Sequence, residues 1–199
     1  MRISRAELVR AILVSLPTVP LPAASAFIQA DDKSWDVTLP STWQLTEASK
    51  TPRAEEEHIF HIGGSRPGTS AQFELTVDVS ERKKLSDLGS IESVAERFRA
   101  EQPQPARLLT AVKLPRADLF SSTTYEFRVD AANVGTCIQR VSLTQGRLYR
   151  LYATLPADAP QPLQQEVNDI VGSYKAFPLN IGCLKASNKG GSVLPGVCY

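Results

Sequence analysis

Thr123-Thr124-Tyr125-Glu126-Phe127-Arg128-Val129 decides the fold, together with the two runs that follow it, Thr136 to Thr144 and Arg147 to Thr154. In the first run Tyr125, Phe127 and Val129 fall on one side, and Glu126, Arg128 and Asp130 on the other. A period of two is the mark of a strand with unlike faces. Gln145-Gly146 separates the second and third runs and suits a tight hairpin. A two-residue loop would set Leu143 opposite Leu148, Ser142 opposite Tyr149 and Arg140 opposite Leu151. Both faces of such a sheet then carry large apolar or aromatic groups, so each face needs a cover.

Helices are the expected cover. Ser90 can cap one, with Glu92 in its first turn and Ile91, Val94, Ala95 and Phe98 on one apolar face. Pro103 and Pro105 stop it. A second helix starts at Pro160 and Pro162, because proline is tolerated in a first turn. Its apolar face is Leu163, Val167, Ile170 and Tyr174, and Gly172-Ser173 ends it.

Further strands are predicted at Ser34 to Leu39, His58 to Ile62, Phe73 to Val79 and Leu108 to Leu114. Trp35 and Trp43 sit beside strand-like alternation and read as core. Strands and helices do not alternate regularly. The expected class is therefore α+β: an antiparallel sheet sandwiched between helices.

The chain has 199 residues and a net charge of +1, and it carries no basic block. One ordinary domain fits that length, and an electrostatic footprint for nucleic acid is absent. No tract approaches the about 18 apolar residues of a membrane span. Residues 1–26 read as an export signal: Arg2, Arg5 and Arg10, then the apolar run Ala11 to Leu16, then the small-residue motif Ala24-Ser25-Ala26 with a cut before Phe27. With three Arg and one Glu the segment is net +2, which leaves −1 for the rest. Residues 27–177 are expected to form the domain, and 178–199 a tail.

Cys183 and Cys198 bracket that Gly/Ser/Asn/Lys-rich tail. One disulfide could staple it, adding about 3 kcal/mol, or both could stay free thiols; the residues leave both readings open. Cys137 falls within a strand pattern, where a free cysteine is usually a small apolar filler.

Chemistry is sparse. There is no Gly-x-Ser-x-Gly elbow, phosphate-binding glycine loop, Cys-x-x-Cys or His-x-x-x-His. His58 and His61 are three apart, which on a strand places them on opposite faces. Cys137 with His58 or His61 is the one conceivable nucleophile–base pair, and nothing in the sequence brings it together. Asp31, Asp32, Asp130 and Asp158 offer oxygen but lack the ligand spacing of a calcium loop. Glu55-Glu56-Glu57 reads as a solvated turn. No catalytic or cofactor-binding residue is assigned, and metal ligands stay unknown. By elimination the chain is a small binding or assembly domain.

Five motifs stand in order along most of the chain. They are Trp35 to Trp43 around Pro40; Leu88-Gly89-Ser90-Ile91-Glu92-Ser93-Val94-Ala95-Glu96 followed by Leu108-Leu109-Thr110-Ala111; Tyr125-Glu126-Phe127; Gln145-Gly146-Arg147-Leu148-Tyr149-Arg150-Leu151-Tyr152-Ala153-Thr154; and Ile170-Val171-Gly172-Ser173-Tyr174. Together they resemble the PsbP family from about Trp35 to Phe177. That resemblance implies a sheet between helices and residence in the chloroplast thylakoid lumen, peripheral to the membrane. It further implies a non-enzymatic, monomeric accessory or assembly factor that contacts photosystem subunits, most directly photosystem II and its oxygen-evolving complex. Calcium binding follows from the family resemblance alone.

Ser4 to Arg10 is similar to a twin-arginine lumen signal, with Ala6 where the second arginine is expected. The short lead from Phe27 to Ser34 and the cysteine-bearing tail depart from PsbP proper and favour a divergent PsbP-domain protein. The alternative is a binding module of the related Mog1-like class, engaging a small GTPase or another soluble partner.

Overall fold

The alternation read from the sequence becomes register in the computed structural model, which describes residues 25–30, 32–49 and 58–178. Among these described residues ten strands, one short 3-10 turn and two helices follow in order. They are β1 (Ser25–Gln29), β2 (Trp35–Pro40), β3 (Gln44–Ser49), β4 (His58–Ser65), β5 (Gln72–Val79), the 3-10 turn (Leu85–Leu88), α1 (Ile91–Glu101), β6 (Ala106–Leu114), β7 (Thr124–Ala131), β8 (Gly135–Thr144), β9 (Arg147–Leu155), α2 (Gln161–Ser173) and β10 (Lys175–Ala176).

Seven strands form one sheet in the order β3-β4-β5-β9-β8-β7-β6, and every pairing is antiparallel. The hairpin has the expected register: Leu143 pairs with Leu148, Ser142 with Tyr149 and Arg140 with Leu151. Gln145 and Gly146 both take positive φ, 51° and 75°, as the twist-matching type I′ turn requires. The expected α+β class is therefore observed, with helices on opposite faces of the sheet.

Neighbouring residues of one strand point to opposite faces, and the two cores divide accordingly. Ile138 joins a core with β2, β4, β5, β9 and α2, in which Trp35, Leu75, Leu151, Val167 and Ile170 are buried. Its neighbour Cys137 joins a second core with α1, β6, β7 and the 3-10 turn, in which Phe98, Tyr125, Phe127 and Val129 are buried.

Both helices match their sequence signals. The Ser93 amide donates to Ser90 Oγ at 3.2 Å and caps α1. On α2, Leu163, Val167 and Ile170 are all buried, as is Tyr174 just past its end. Ser173 Oγ accepts from the Thr38 amide at 2.9 Å, which ties the end of α2 to β2. Trp43 Nε1 donates to Glu166 at 3.0 Å, and Arg66 reaches the same carboxylate oxygen.

The sequence reading missed three strands, β1, β3 and β10. β1, β2 and β10 make a separate three-stranded sheet that lies beside α2 and completes the cover of that side. β1 has only five residues and runs across the expected cut: Ser25 pairs with Pro40 and Ala26 with Leu39. β10 has two residues, too few for any periodicity. β3 is polar and gains its strand form from pairing with β4.

Candidate functional site

The two covers differ in width. On the α2 side, helix and small sheet together close over β4, β5 and β9. On the other side α1 packs on β6 and β7 and leaves the β4–β5–β9 strip open. The residues of that open strip are fixed by register. Glu74, Thr76 and Asp78 of β5 pair with Tyr152, Arg150 and Leu148 of β9. Beside them Gln139 of β8 pairs with Tyr152.

Three hollows run along this strip as one trough that starts beside α1 and continues over the sheet, with volumes of about 180, 230 and 300 Å³. The first and second share Gln139 and Arg150, and the second and third share Glu74 and Tyr152. One end has an apolar floor that includes Val94, Phe98 and Leu148, under a rim of Arg82, Arg97, Arg150 and Glu101. The other end is lined by His61, Gly63, Gly64 and Glu74. Gly64 suits that place: a Cβ there would stand 2.3 Å from the Phe73 ring and 2.9 Å from the Gln44 carbonyl.

Arg150 is the centre of the trough. Its Nη2 donates to Asp78 Oδ2 at 2.6 Å. Its Nε–H is buried without a hydrogen-bond acceptor. A buried donor left unpaired costs about 1–3 kcal/mol. At the far end His61 Nε2 lies 3.0 Å from Glu74 Oε1.

Tyr152 closes the floor between α1 and the sheet. Its hydroxyl lies 3.1 Å from Gln102 Oε1 and 3.2 Å from Cys137 Sγ. Burial pushes the Cys137 thiol above its ordinary pKa, and it pushes the Tyr152 phenol up as well, with the neighbouring thiol adding to the shift. A thiol that is wholly buried and held protonated is a poor nucleophile. The structure places Cys137 inside the core of the α1 side, and His61 against Glu74 on the trough. The filler reading of Cys137 therefore describes its surroundings.

The other candidate residues do not converge. Asp32 accepts from the Ser34 amide and from Arg147 at 2.6 Å, at the β8–β9 turn. Asp130 lies 3.7 Å from Arg107 on the β6–β7 pair. Asp158 is exposed before α2. Among the described residues no group of three His, Cys, Asp or Glu could hold a metal ion. Asp31, Glu55 to Glu57, Cys183 and Cys198 lie outside the described residues, as do residues 1–24. No helix among the described residues is long and apolar enough to cross a membrane.

On the opposite face Glu126 is buried between two arginines, Arg140 at 2.7 Å and Arg128 at 3.0 Å. Arg128 also donates to Asn168 of α2 at 3.0 Å. Burial alone would raise the Glu126 pKa. The hydrogen bonds from Arg140 and then Arg128 outweigh it and hold the carboxyl below its ordinary value. Glu126 was legible only as a polar-face residue; its burial depends on groups from β8 and α2.

Two large apolar groups stand outside both cores at one loop tip, Leu119 at 86% exposure and Phe120 at 56%. Asp118 pins this loop by accepting from the Phe120 and Ser121 amides, and it also meets Lys175.

Neither a family model nor a curated protein matches the chain in sequence. Solved structures do match. The solution structure of cyanobacterial PsbP (CyanoP) from Synechocystis sp. PCC 6803 superposes with a TM-score of 0.56 at 15% identity, over 83% of this chain and 99% of that one. The Ran-binding protein Mog1p of Saccharomyces cerevisiae matches at a TM-score of 0.42 and 8% identity, over 78% of this chain and 97% of that one. LpqN of Mycobacterium tuberculosis, involved in cell envelope biogenesis, matches at 0.44 and 14%, over 78% and 91%. The chain has the PsbP-like α+β fold that the motif order implied. At these identities the likeness concerns the fold.

Proposed function

We propose that this protein is a non-enzymatic, PsbP-like accessory or assembly factor of the thylakoid lumen. Its work is to hold photosystem subunits at the lumenal membrane face, with photosystem II and its oxygen-evolving complex the first candidates. One observation carries the reading. The fold superposes on almost the whole of a cyanobacterial PsbP, and the five sequence motifs of the resemblance fall at the strands and helix ends that build this fold. The export-like segment at residues 1–26 supports the same address. Fold alone does not assign function, so the proposal stands on fold, motif order and address together. Calcium binding enters it through the family resemblance.

Cell fractionation with N-terminal sequencing tests the proposal. The native protein is expected to begin near Phe27, to co-migrate with thylakoid membranes and to be released by high salt or alkaline washing. Affinity purification from thylakoids is expected to bring down photosystem subunits. A stromal or cytosolic location overturns the proposal, and a small GTPase as the co-purifying protein replaces it with a Mog1-like role.

A further inference from the structure

We infer that the arginine-rimmed end of the trough is a docking groove for an extended acidic segment of a partner protein, one that turns a carboxylate and, two residues on, a large apolar side chain to the same face. The inference deepens the proposed function and rests on its premise that the partner is a protein.

The trough's run of connected hollows suits an extended polypeptide. The hollow at the arginine end measures about 180 Å³ and the middle one about 230 Å³. Each suits one large side chain, and they share walls, as side chains two apart on one extended strand require, since those point to the same face.

Chemistry argues for carboxylates. Arg82, Arg97 and Arg150 line one small hollow, against Glu101 as the acidic group on the same lining. Arg82 is exposed at the rim, and Arg97 spends one donor on the Leu88 carbonyl. A guanidinium offers five N–H donors in a planar fork that matches a carboxylate. Asp78 takes one nitrogen of Arg150 and leaves the buried Nε–H without an acceptor. An incoming carboxylate would supply that acceptor. Below the rim, Val94 and Leu148 are half-buried and Phe98 and Val141 buried, giving an apolar floor for the apolar side chain two residues from the carboxylate.

The test uses the full mature chain and a synthetic peptide of about ten residues with the repeat Glu-Ser-Leu-Ser, which puts Glu and Leu on one face of a strand, capped at both ends. Backbone amide NMR shifts locate it and fluorescence anisotropy measures its affinity. Shifts are expected at residues of α1, β8 and β9 that line the trough. Arg82→Glu is expected to weaken binding at least about tenfold, because it reverses one charge of the rim. Arg150→Lys keeps the pairing to Asp78 but loses the fork, and is expected to weaken binding about fivefold. Leu119→Ser, on the distant loop tip, should change nothing.

The inference is overturned by a peptide that shifts residues elsewhere, by equal affinity in both arginine variants, or by equal binding of the same peptide with Lys for Glu. Inorganic phosphate that reproduces the same shifts would mark a plain anion site and overturn it too. No peptide binding with retained thylakoid co-migration removes the groove and leaves the proposed function. Peptide binding by a protein found in the stroma does the reverse.

Discussion

The two faces of the seven-stranded sheet have had different fates. On one, α2 and the small sheet close over the strands and bury Trp35, Leu75, Tyr149, Leu151, Val167 and Ile170. On the other, α1 covers the β6–β7 half and leaves a polar strip of Glu74, Thr76, Gln139, Arg150 and Tyr152 as the floor of a trough. A closed face can be read as stability. An open strip carries polar side chains that its cover leaves within reach of a partner. The contrast teaches that a sheet with two unequal covers divides these tasks between its faces.

The contrast would break if the closed face proved dispensable. Trp35→Ala removes the largest of the fully buried side chains and is expected to cost about 3–5 kcal/mol, read as a lowered denaturant midpoint in urea. A loss below about 1 kcal/mol would mean that the small sheet is not an integral part of the cover.

Glu126→Ala should come next. It leaves Arg128 and Arg140 partly buried without their shared carboxylate, and breaking such a group costs about 3 kcal/mol. The pH dependence has a definite sign. The folded pKa of Glu126 lies below the ordinary value. Its contribution is therefore fully present above the unfolded glutamate value of about 4.3, and is lost as pH falls through the lower folded value. Wild type should lose more stability over that acid range than Glu126→Gln, measured by urea unfolding at a series of pH values.

Gly135 tests the strand turn between β7 and β8. Its φ is 93°, and a Cβ there would stand 2.3 Å from the Leu155 carbonyl. Gly135→Ala should cost more than about 2 kcal/mol, since both the backbone conformation and the space are wrong for a side chain. Thermal unfolding of the variant checks this.

Cys137 should give a smaller effect. Being buried and held protonated, it should react with a thiol reagent far more slowly in the native than in the denatured protein. Cys137→Ser should cost about 1–2 kcal/mol through the buried hydroxyl, with partner association retained. Rapid native labelling would place the thiol outside the core. The smallest effect is expected at the rim of the trough, where Arg82→Ala should change stability by less than about 0.5 kcal/mol.

Much of this architecture was legible. The alternation at Tyr125, Phe127 and Val129, the Gln145-Gly146 hairpin and the Ser90 cap each follow from a local rule, and the observed register and capping bond match them. The trough was not. Arg82, Arg97 and Arg150 come from a turn, a helix and a strand, and no spacing rule links them. The signal that could have pointed there was Arg150 itself, a charge facing the same way as Leu148 and Tyr152.

By itself the sequence determined both helices and seven of the strands, and which side of each would be apolar, because backbone periodicity and capping are settled within a few residues; β1, β3 and β10 took strand form only through their partners. Only tertiary structure decided that ten strands would divide into sheets of seven and three, that one face would close and the other stay open, and that Glu126 would be buried among arginines. Those outcomes depend on contacts between residues far apart in the chain, such as Thr38 with Ser173 and Arg128 with Asn168, which exist only once the sheet has been covered.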